Sequence, residues 1–496
     1  MKGFFSSLYS AAGLILLALL AARLTFIQQI GLELSPDEAY YWDWSRTLAW
    51  GYYSKPPLVA WLIHLFTLKL GHTEYGVRVP AALCHTFYLA LVYYLGQRLF
   101  DRKVGLWAAL AAAAGPLSAI YGFVMTIDPP LFAFWTAALC FTWQAVETKK
   151  SFDFLKLGLV LGLGLLTKQT MLAFVVLLFF WLWWTPENRA LLRGPKPYLA
   201  LLVAFVLFLP NLWWNASHSW VTFRHTEEHF QGEGLFLLGP AKFLLEQAGV
   251  ITPIIFLLLL YVFLLFLTRP KLRENPKLRF LFVFSALPLT LVFPLSFFRE
   301  VNANWPHPFY ASGFVFLSAL ILRGNWPSQK RLFLRRVFLL GVLLGMFIMV
   351  TVYQLPRTPE KFPPKIQRLL YKFKGWKDLA HWVAFHQKRE EIIIALRRDY
   401  AAEMAFYLPG KPRPYTFWEG HPRNQYDLWD GLSGRLGEDA LVLLKKPTQA
   451  RRYSVCFQKM EYLGEWKRII YGKTRRILLY RGKRLQKCPY IGPQDG

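Results

Sequence analysis

Acidic residues are scarce in this chain. Its 496 residues hold 30 Asp and Glu against 58 Lys and Arg, a formal net charge of +28. In a soluble protein that excess would suggest nucleic acid. Here the basic residues cluster in short loops between apolar runs, the positive-inside pattern of a membrane protein, so nucleic acid is not the expected partner. Cysteines number only four. Cys84 and Cys140 fall in apolar runs and read as packing residues. Cys456 and Cys488 lie in the polar C-terminal part; in an oxidising compartment they could pair, and spacing alone leaves that open. No CxxC and no Cys/His cluster with zinc spacing occurs. No GxxxxGK and no GxGxxG after a strand occurs, so the chain carries no nucleotide-phosphate cradle. No convincing internal repeat is visible.

Apolar residues are abundant. The chain is 55% hydrophobic, with 20 Trp and 24 Tyr, the aromatics that membrane interfaces favour. The excess comes as discrete runs near 20 residues, enough at 1.5 Å per residue to cross a hydrocarbon layer of about 30 Å. Spans are expected near 8–30, 78–98, 104–122, 129–146, 154–166, 170–185, 198–214, 250–268, 279–297, 308–323 and 335–354. The fifth and sixth are short and meet at Thr167–Thr170, as two helices or one broken helix. The first run has the small-residue tail of a signal peptide, but it leads directly into a dense polar loop and is read as a retained span.

The loops sort into two faces. Arg98, Arg102 and Lys103, then Lys149, Lys150 and Lys156, then Arg189, Arg193 and Lys196 mark one face. Arg269 to Arg279 and Arg323 to Arg336 continue it, and Lys2 falls on the same side. That face is read as cytoplasmic. From about 355 the composition changes. "EIIIALRRDYAAEMAFYLPG" reads as a buried strand and then a helix; "DALVLLKK" and "RRILLYRG" read as strands. The expected architecture is an α-helical polytopic membrane protein of about eleven spans, residues 1–355, followed by a small α/β domain, 356–496. With an odd number of spans, that domain lies outside, in the periplasm.

The outer face carries the candidate chemistry. Asp37 and Glu38 follow the first span in "SPDEAYYWDWSRTLAWGYYSKPP". Ser35 and Pro36 make them the first turn of a helix, a structural reading that leaves a catalytic role open. Lys55 precedes two prolines, so it cannot sit in a regular helical turn. It is either a snorkelling interfacial lysine or a cation placed for a phosphate. Asp128 in "TIDPPL" either caps the fourth span or serves the site. Lys168 in "LLTKQT" is a charge inside an apolar region, a functional hypothesis in a membrane protein. Arg224 and His225, with Asn304, Trp305 and His307 in "NANWPHP", complete the inventory. A phosphate-linked lipid donor needs cations near the headgroup plane, and a sugar needs aromatic faces such as Tyr40 and Tyr41. An acceptor hydroxyl needs a carboxylate in line with the leaving phosphate.

These segments resemble a known family. "SPDEAYYWDWSRTLAWGYYSKPPLVAWLI", "GVRVPAAL", "TIDPPLFAFW", "LGLGLLTKQTMLAF", "FLPNLWWNASHSWVTFRH" and "VNANWPHPFYAS" look like the bacterial glycosyltransferases of the GT-C fold. These are relatives of the protein O-mannosyltransferases and of the aminoarabinose transferase that modifies lipid A. "RNQYDLW", 423–429, is similar to the outer domain of one bacterial branch. The resemblance implies a polyisoprenyl-phosphate-linked sugar donor and a glycolipid or glycan acceptor such as lipid A. It implies inverting transfer on the periplasmic side of the inner membrane. Asp37, within its pair with Glu38, matches the base, and Asp128 the second acidic site. Lys55 matches the lysine near the lipid phosphate and Lys168 that of the "TK" element, with Arg224 beside them as a further cation. Tyr40, Tyr41, His225, Asn304, Trp305 and His307 are expected at the substrate. Ser54 stands where the aminoarabinose transferases typically carry a metal-binding glutamate, so no cofactor is certain and a divalent metal is doubtful. The main rival is a transporter or flippase of a lipid-linked sugar. Such proteins place binding residues near the bilayer midplane, often with inverted repeats. A purely structural outer face is the second rival.

Overall fold

The computed structural model of the chain describes residues 11–228 and 234–492. Lys2, the start of the first run and part of the 215–249 loop lie outside the described residues. The chain forms two compact units. One comprises the described parts of 1–29, 78–214 and 227–354, the other 30–77, 215–226 and 355–496.

The first unit is helical, and each apolar run read from the sequence lies mainly in helix. Among the described residues five helices are long and apolar enough to cross a membrane, or up to seven if each of two bent pairs is one span. The chain is therefore a multi-pass membrane protein. The run at 104–122 is two helices, Arg102–Ala113 and Pro116–Tyr121, because Gly115–Pro116 interrupts it. The fifth and sixth runs are separate helices, Ser151–Leu165 and Met171–Trp184. Close packing depends on small residues. A Cβ on Gly96 would come within 2.6 Å of Gly105 Cα, so these two helices meet backbone to backbone.

Ion pairs tie the basic loops to one end of this unit. Arg98 pairs with Glu147, Arg323 with Asp101 at 2.5 Å, and Arg279 with Glu187 at 2.9 Å. Asp153 accepts from Gln144, Thr148 and Lys156. Glu147 lies near the end of the helix Asp128–Thr148, and Asp128 begins it. At 1.5 Å per residue the two are about 30 Å apart, so Asp128 belongs to the opposite end.

The second unit is built on a four-stranded sheet in the order β1-β2-β4-β3. These strands are β1 (Ile392–Ala395), β2 (Ala440–Leu444), β3 (Phe457–Ile470) and β4 (Lys473–Leu485). β1 and β2 run parallel, joined through a connection that contains the helix Arg398–Tyr407; the other pairs are antiparallel. The central β2, "ALVLL", is buried throughout, as its continuous apolar run demands. Tyr471 and Gly472, both with positive φ, close the β3–β4 hairpin as a two-residue turn. Ile394, Phe417, Val442, Leu444 and Leu485 form the core on one face, and Cys456 and Cys488 are joined there by a disulfide.

Segment 30–77 is stitched into this unit by buried polar contacts. Gly375 begins the helix Trp376–His386 without a side-chain cap of its own. The Glu33 carboxylate supplies one, accepting from the Trp376 amide at 2.5 Å and from Lys377 N at 3.4 Å. The Leu34 amide donates to the Tyr407 hydroxyl at 2.7 Å, and Lys377 pairs with Glu74 at 2.7 Å. Segment 30–77 thus folds with the C-terminal residues, an association that composition did not reveal.

Candidate active site

The residues singled out from the sequence fall into two groups, one in each unit. In the second unit, Pro36–Ser45 is a helix. The Ser35 amide and hydroxyl donate to Glu38 Oε2 at 2.9 and 3.0 Å, a reciprocal cap that buries the Glu38 carboxylate. Asp43, five residues on, is also buried. It accepts from Arg46 at 3.1 Å, from Arg413 at 3.4 Å and from the Tyr426 hydroxyl at 2.8 Å. Burial pushes its carboxyl up, while Arg413, Arg46 and Tyr426 pull it down. Asp37 differs from both. Its side chain is 53% exposed, and Oδ1 accepts from Arg398 Nη2 at 2.9 Å.

Tyr40 and Tyr41 are buried. Tyr40 packs edge-on to Trp44 with centroids 4.7 Å apart, and its hydroxyl accepts from the Gln425 amide at 2.5 Å. Burial raises the Tyr40 pKa above the ordinary phenol value, so it stays neutral. These rings anchor the helix.

Lys55 lies in an irregular turn and is partly buried; its carbonyl accepts from the Tyr52 amide at 3.1 Å. The turn is held from two sides. The Tyr53 amide donates to Gln425 Oε1 at 2.8 Å, and the Thr222 hydroxyl donates to the Tyr52 carbonyl at 2.8 Å. Thr222 belongs to the helix Val221–Glu228, which carries Arg224, exposed, and His225, whose ring lies 5.0 Å from that of Tyr53. The structure therefore gathers Asp37, Lys55, Arg224 and His225 in one compact unit. "RNQYDLW" is the clasp: Asn424 and Asp427 cap each other, while Gln425 and Tyr426 hold the two halves of segment 30–77.

In the first unit the sequence-selected residues converge on Asp128. Its carboxylate is turned away from helix capping. Oδ1 accepts from Lys168 Nζ at 3.0 Å, and Oδ2 from the Tyr121 hydroxyl at 2.8 Å and Asn304 Nδ2 at 2.9 Å. The break between Leu165 and Met171 frees Lys168 from helical register and lets it reach Asp128. A buried charge pair is tolerable in an apolar unit only with such additional hydrogen bonds. His307 packs on Phe132 at 4.5 Å, and Arg299 lies 5.5 Å over the Trp305 ring. Gln247 secures the Asn304 loop, donating to the Ala303 carbonyl at 3.2 Å and accepting from Tyr310 at 2.9 Å.

Sequence reasoning missed Tyr121, Asp43, Arg413 and Arg398. Tyr121 precedes Asp128 by one short loop and was within reach of inspection. Arg413 and Tyr426, which join Arg46 on Asp43, and Arg398 on Asp37 lie more than 350 residues away in sequence, and no local pattern points to them. Among the described residues no group of three or more His, Cys, Asp or Glu side chains is arranged to hold a metal ion. Ser54, at the metal-glutamate position, is buried. The described side chains do not fit a metal.

A family model described as dolichyl-phosphate-mannose-protein mannosyltransferase matches residues 54–214. The lipid A galacturonosyltransferase RgtD of Rhizobium johnstonii is 28% identical over 402 residues, 80% of this chain and 82% of that protein. The undecaprenyl phosphate-alpha-4-amino-4-deoxy-L-arabinose arabinosyl transferase 2 of Sodalis glossinidius is 32% identical over 187 residues, 34% of each chain. The apo structure of ArnT from Cupriavidus metallidurans superposes with a TM-score of 0.68 at 15% identity, covering 98% of this chain and 100% of that one. The same protein bound to undecaprenyl phosphate gives 0.61. The chain is a glycosyltransferase, and its likeness is to the protein O-mannosyltransferases and aminoarabinose transferases of the GT-C fold. Its small C-terminal sheet is part of that likeness, since the superposition spans nearly the whole chain. The matched model begins at Ser54, so it takes in Lys55, Asp128 and Lys168 and leaves Asp37 outside.

Proposed function

We propose that this glycosyltransferase moves a sugar from a polyisoprenyl-phosphate donor to a lipid A-type glycolipid, on the periplasmic face of the inner membrane. The observation that carries the reading is the similarity to a lipid A galacturonosyltransferase over 80% of the chain. The fold shared with a protein bound to undecaprenyl phosphate supports the donor class. The disulfide between Cys456 and Cys488 supports an oxidising compartment for the C-terminal residues. The clustering of paired basic loops at the end of the helical unit opposite Asp128 supports a cytoplasmic end and an outer end.

In this reading Asp37 is the base. Among the acids of its helix it is half-exposed, whereas Glu38 and Asp43 are buried in local contacts. Asp37 takes the proton of the acceptor hydroxyl as that oxygen attacks the anomeric carbon. The bond from that carbon to the phosphate oxygen breaks on the opposite face, which inverts the anomeric centre. The polyisoprenyl phosphate leaves with the negative charge. Lys55 and Arg224 stabilise that charge, and His225 contacts the substrate. Asp128, neutralised by Lys168, braces the Asn304–His307 loop through the Asn304 side chain.

Purified protein in liposomes with a lipid-linked uronic or amino sugar and lipid A tests the reading. Formation of glycosylated lipid A with release of polyisoprenyl phosphate is expected. Movement of intact donor between leaflets with no transfer to any acceptor would replace the enzyme by a flippase.

A further inference from the structure

Arg398 begins the helix Arg398–Tyr407, directly after β1. Its neighbour Arg397 turns aside to Asp399 at 3.0 Å. Arg398 instead reaches segment 30–77. Nη2 donates to Asp37 Oδ1 at 2.9 Å, and the guanidinium carbon lies 4.9 Å over the Tyr40 ring. Asp37 and Tyr40 are three residues apart on one helix, so they share a face and grip the guanidinium together. Tyr40 is itself fixed by packing and by the Gln425 amide. The carboxylate side chain is 53% exposed and that of Arg398 46%. A half-exposed pair adds little to stability, so folding alone gives weak reason for this one. It does hold one carboxylate oxygen in place beside open solvent.

We propose that Arg398 is the positioning residue for Asp37. The guanidinium, set by Tyr40, engages Oδ1 and orients Oδ2 toward the acceptor hydroxyl, whose proton Oδ2 takes. This rests on Asp37 being the base. A planar fork suits the task better than an ammonium, because it fixes the direction of the carboxylate as well as its distance. The role also explains why the C-terminal residues fold around the first outer loop: they supply part of its reactive geometry.

The test is steady-state transfer by the full-length protein in detergent or liposomes, with a thermal midpoint measured for each variant. Arg398→Ala and the bulkier Arg398→Gln should lower kcat by about 10²-fold, the scale expected for a misplaced reacting group. The KM for the lipid-linked donor should stay within about twofold, since positioning acts on the chemical step. Arg398→Lys should recover part of the rate, and added guanidinium ion at sub-denaturing concentration should raise the rate of Arg398→Ala but not of the wild type. In an Asp37→Asn background, Arg398→Ala should lower the rate no further. A wild-type kcat in Arg398→Ala, with Asp37→Asn inactive, overturns the positioning role alone. A loss that follows a lowered thermal midpoint, with no rescue by lysine or guanidinium, also overturns it. Full transfer by Asp37→Asn overturns instead the reading of Asp37 as base.

Discussion

Asp128 and Asp37 are both acids picked from the sequence for chemistry, yet their surroundings differ. Asp128 is 4% exposed and receives three donors, from Lys168, Tyr121 and Asn304. Asp37 is about half exposed and one guanidinium donates to it. Saturation with donors stabilises a carboxylate where it lies and leaves it little capacity for a substrate proton. An acid with a free oxygen at the surface retains that capacity. The lesson extends to Glu38 and Asp43, which share a helix with Asp37 and are committed to capping and to an arginine clamp.

Removing each acid, with stability read separately from transfer, separates the two environments. Asp128→Ala should cost about 3–5 kcal/mol, the usual result of stranding the buried partner of an ion pair. Its thermal midpoint should fall steeply. Replacing both partners, Asp128→Asn with Lys168→Met, should recover most of that loss; if it does not, the pair is more than a structural brace. Asp43→Ala comes next, at roughly 2–3 kcal/mol, because Arg46 and Arg413 are about a quarter exposed and water offsets part of the loss. Asp37→Ala should change stability by less than about 0.5 kcal/mol, as for other surface substitutions.

A smaller effect concerns pH. Glu403 is fully buried in the helix Arg398–Tyr407, and among the described residues neither oxygen has a hydrogen-bond partner. Burial raises its pKa well above the ordinary glutamate value; Arg475 opposes this, and Glu33, Glu38 and Asp399 add to it. The folded state then keeps a proton that the unfolded chain releases. Its penalty is absent below the unfolded glutamate pKa and grows as pH rises toward the folded value. Glu403→Gln should therefore raise the thermal midpoint at neutral pH and change it little at pH 4. An equal effect at both pH values would contradict a buried, protonated Glu403.

Much of the fold was legible because apolar runs have length and strands have local pattern. β1, β2 and β4 were visible in "EIIIA", "DALVLLKK" and "RRILLYRG", and the break that frees Lys168 was visible in "LLTKQTM". β3 was missed. It is an edge strand that mixes apolar with charged residues and buries only Phe457 and Trp466 fully, and its alternation is interrupted by a register shift between Tyr462 and Gly464. The acids of the site were legible as residues but not as roles. What separates Asp37 from Asp43 is where Arg398, Arg413 and Tyr426 return from the far end of the chain. Such pairings depend on tertiary structure and leave no local period to read.

The most direct test compares lipid A by mass spectrometry in a deletion strain that carries either the wild-type gene or Asp37→Asn, at matched protein levels. Lipid A heavier by one sugar is expected with the wild-type gene and none with Asp37→Asn, with both proteins equally abundant in the membrane. The same added sugar in both strains would contradict it.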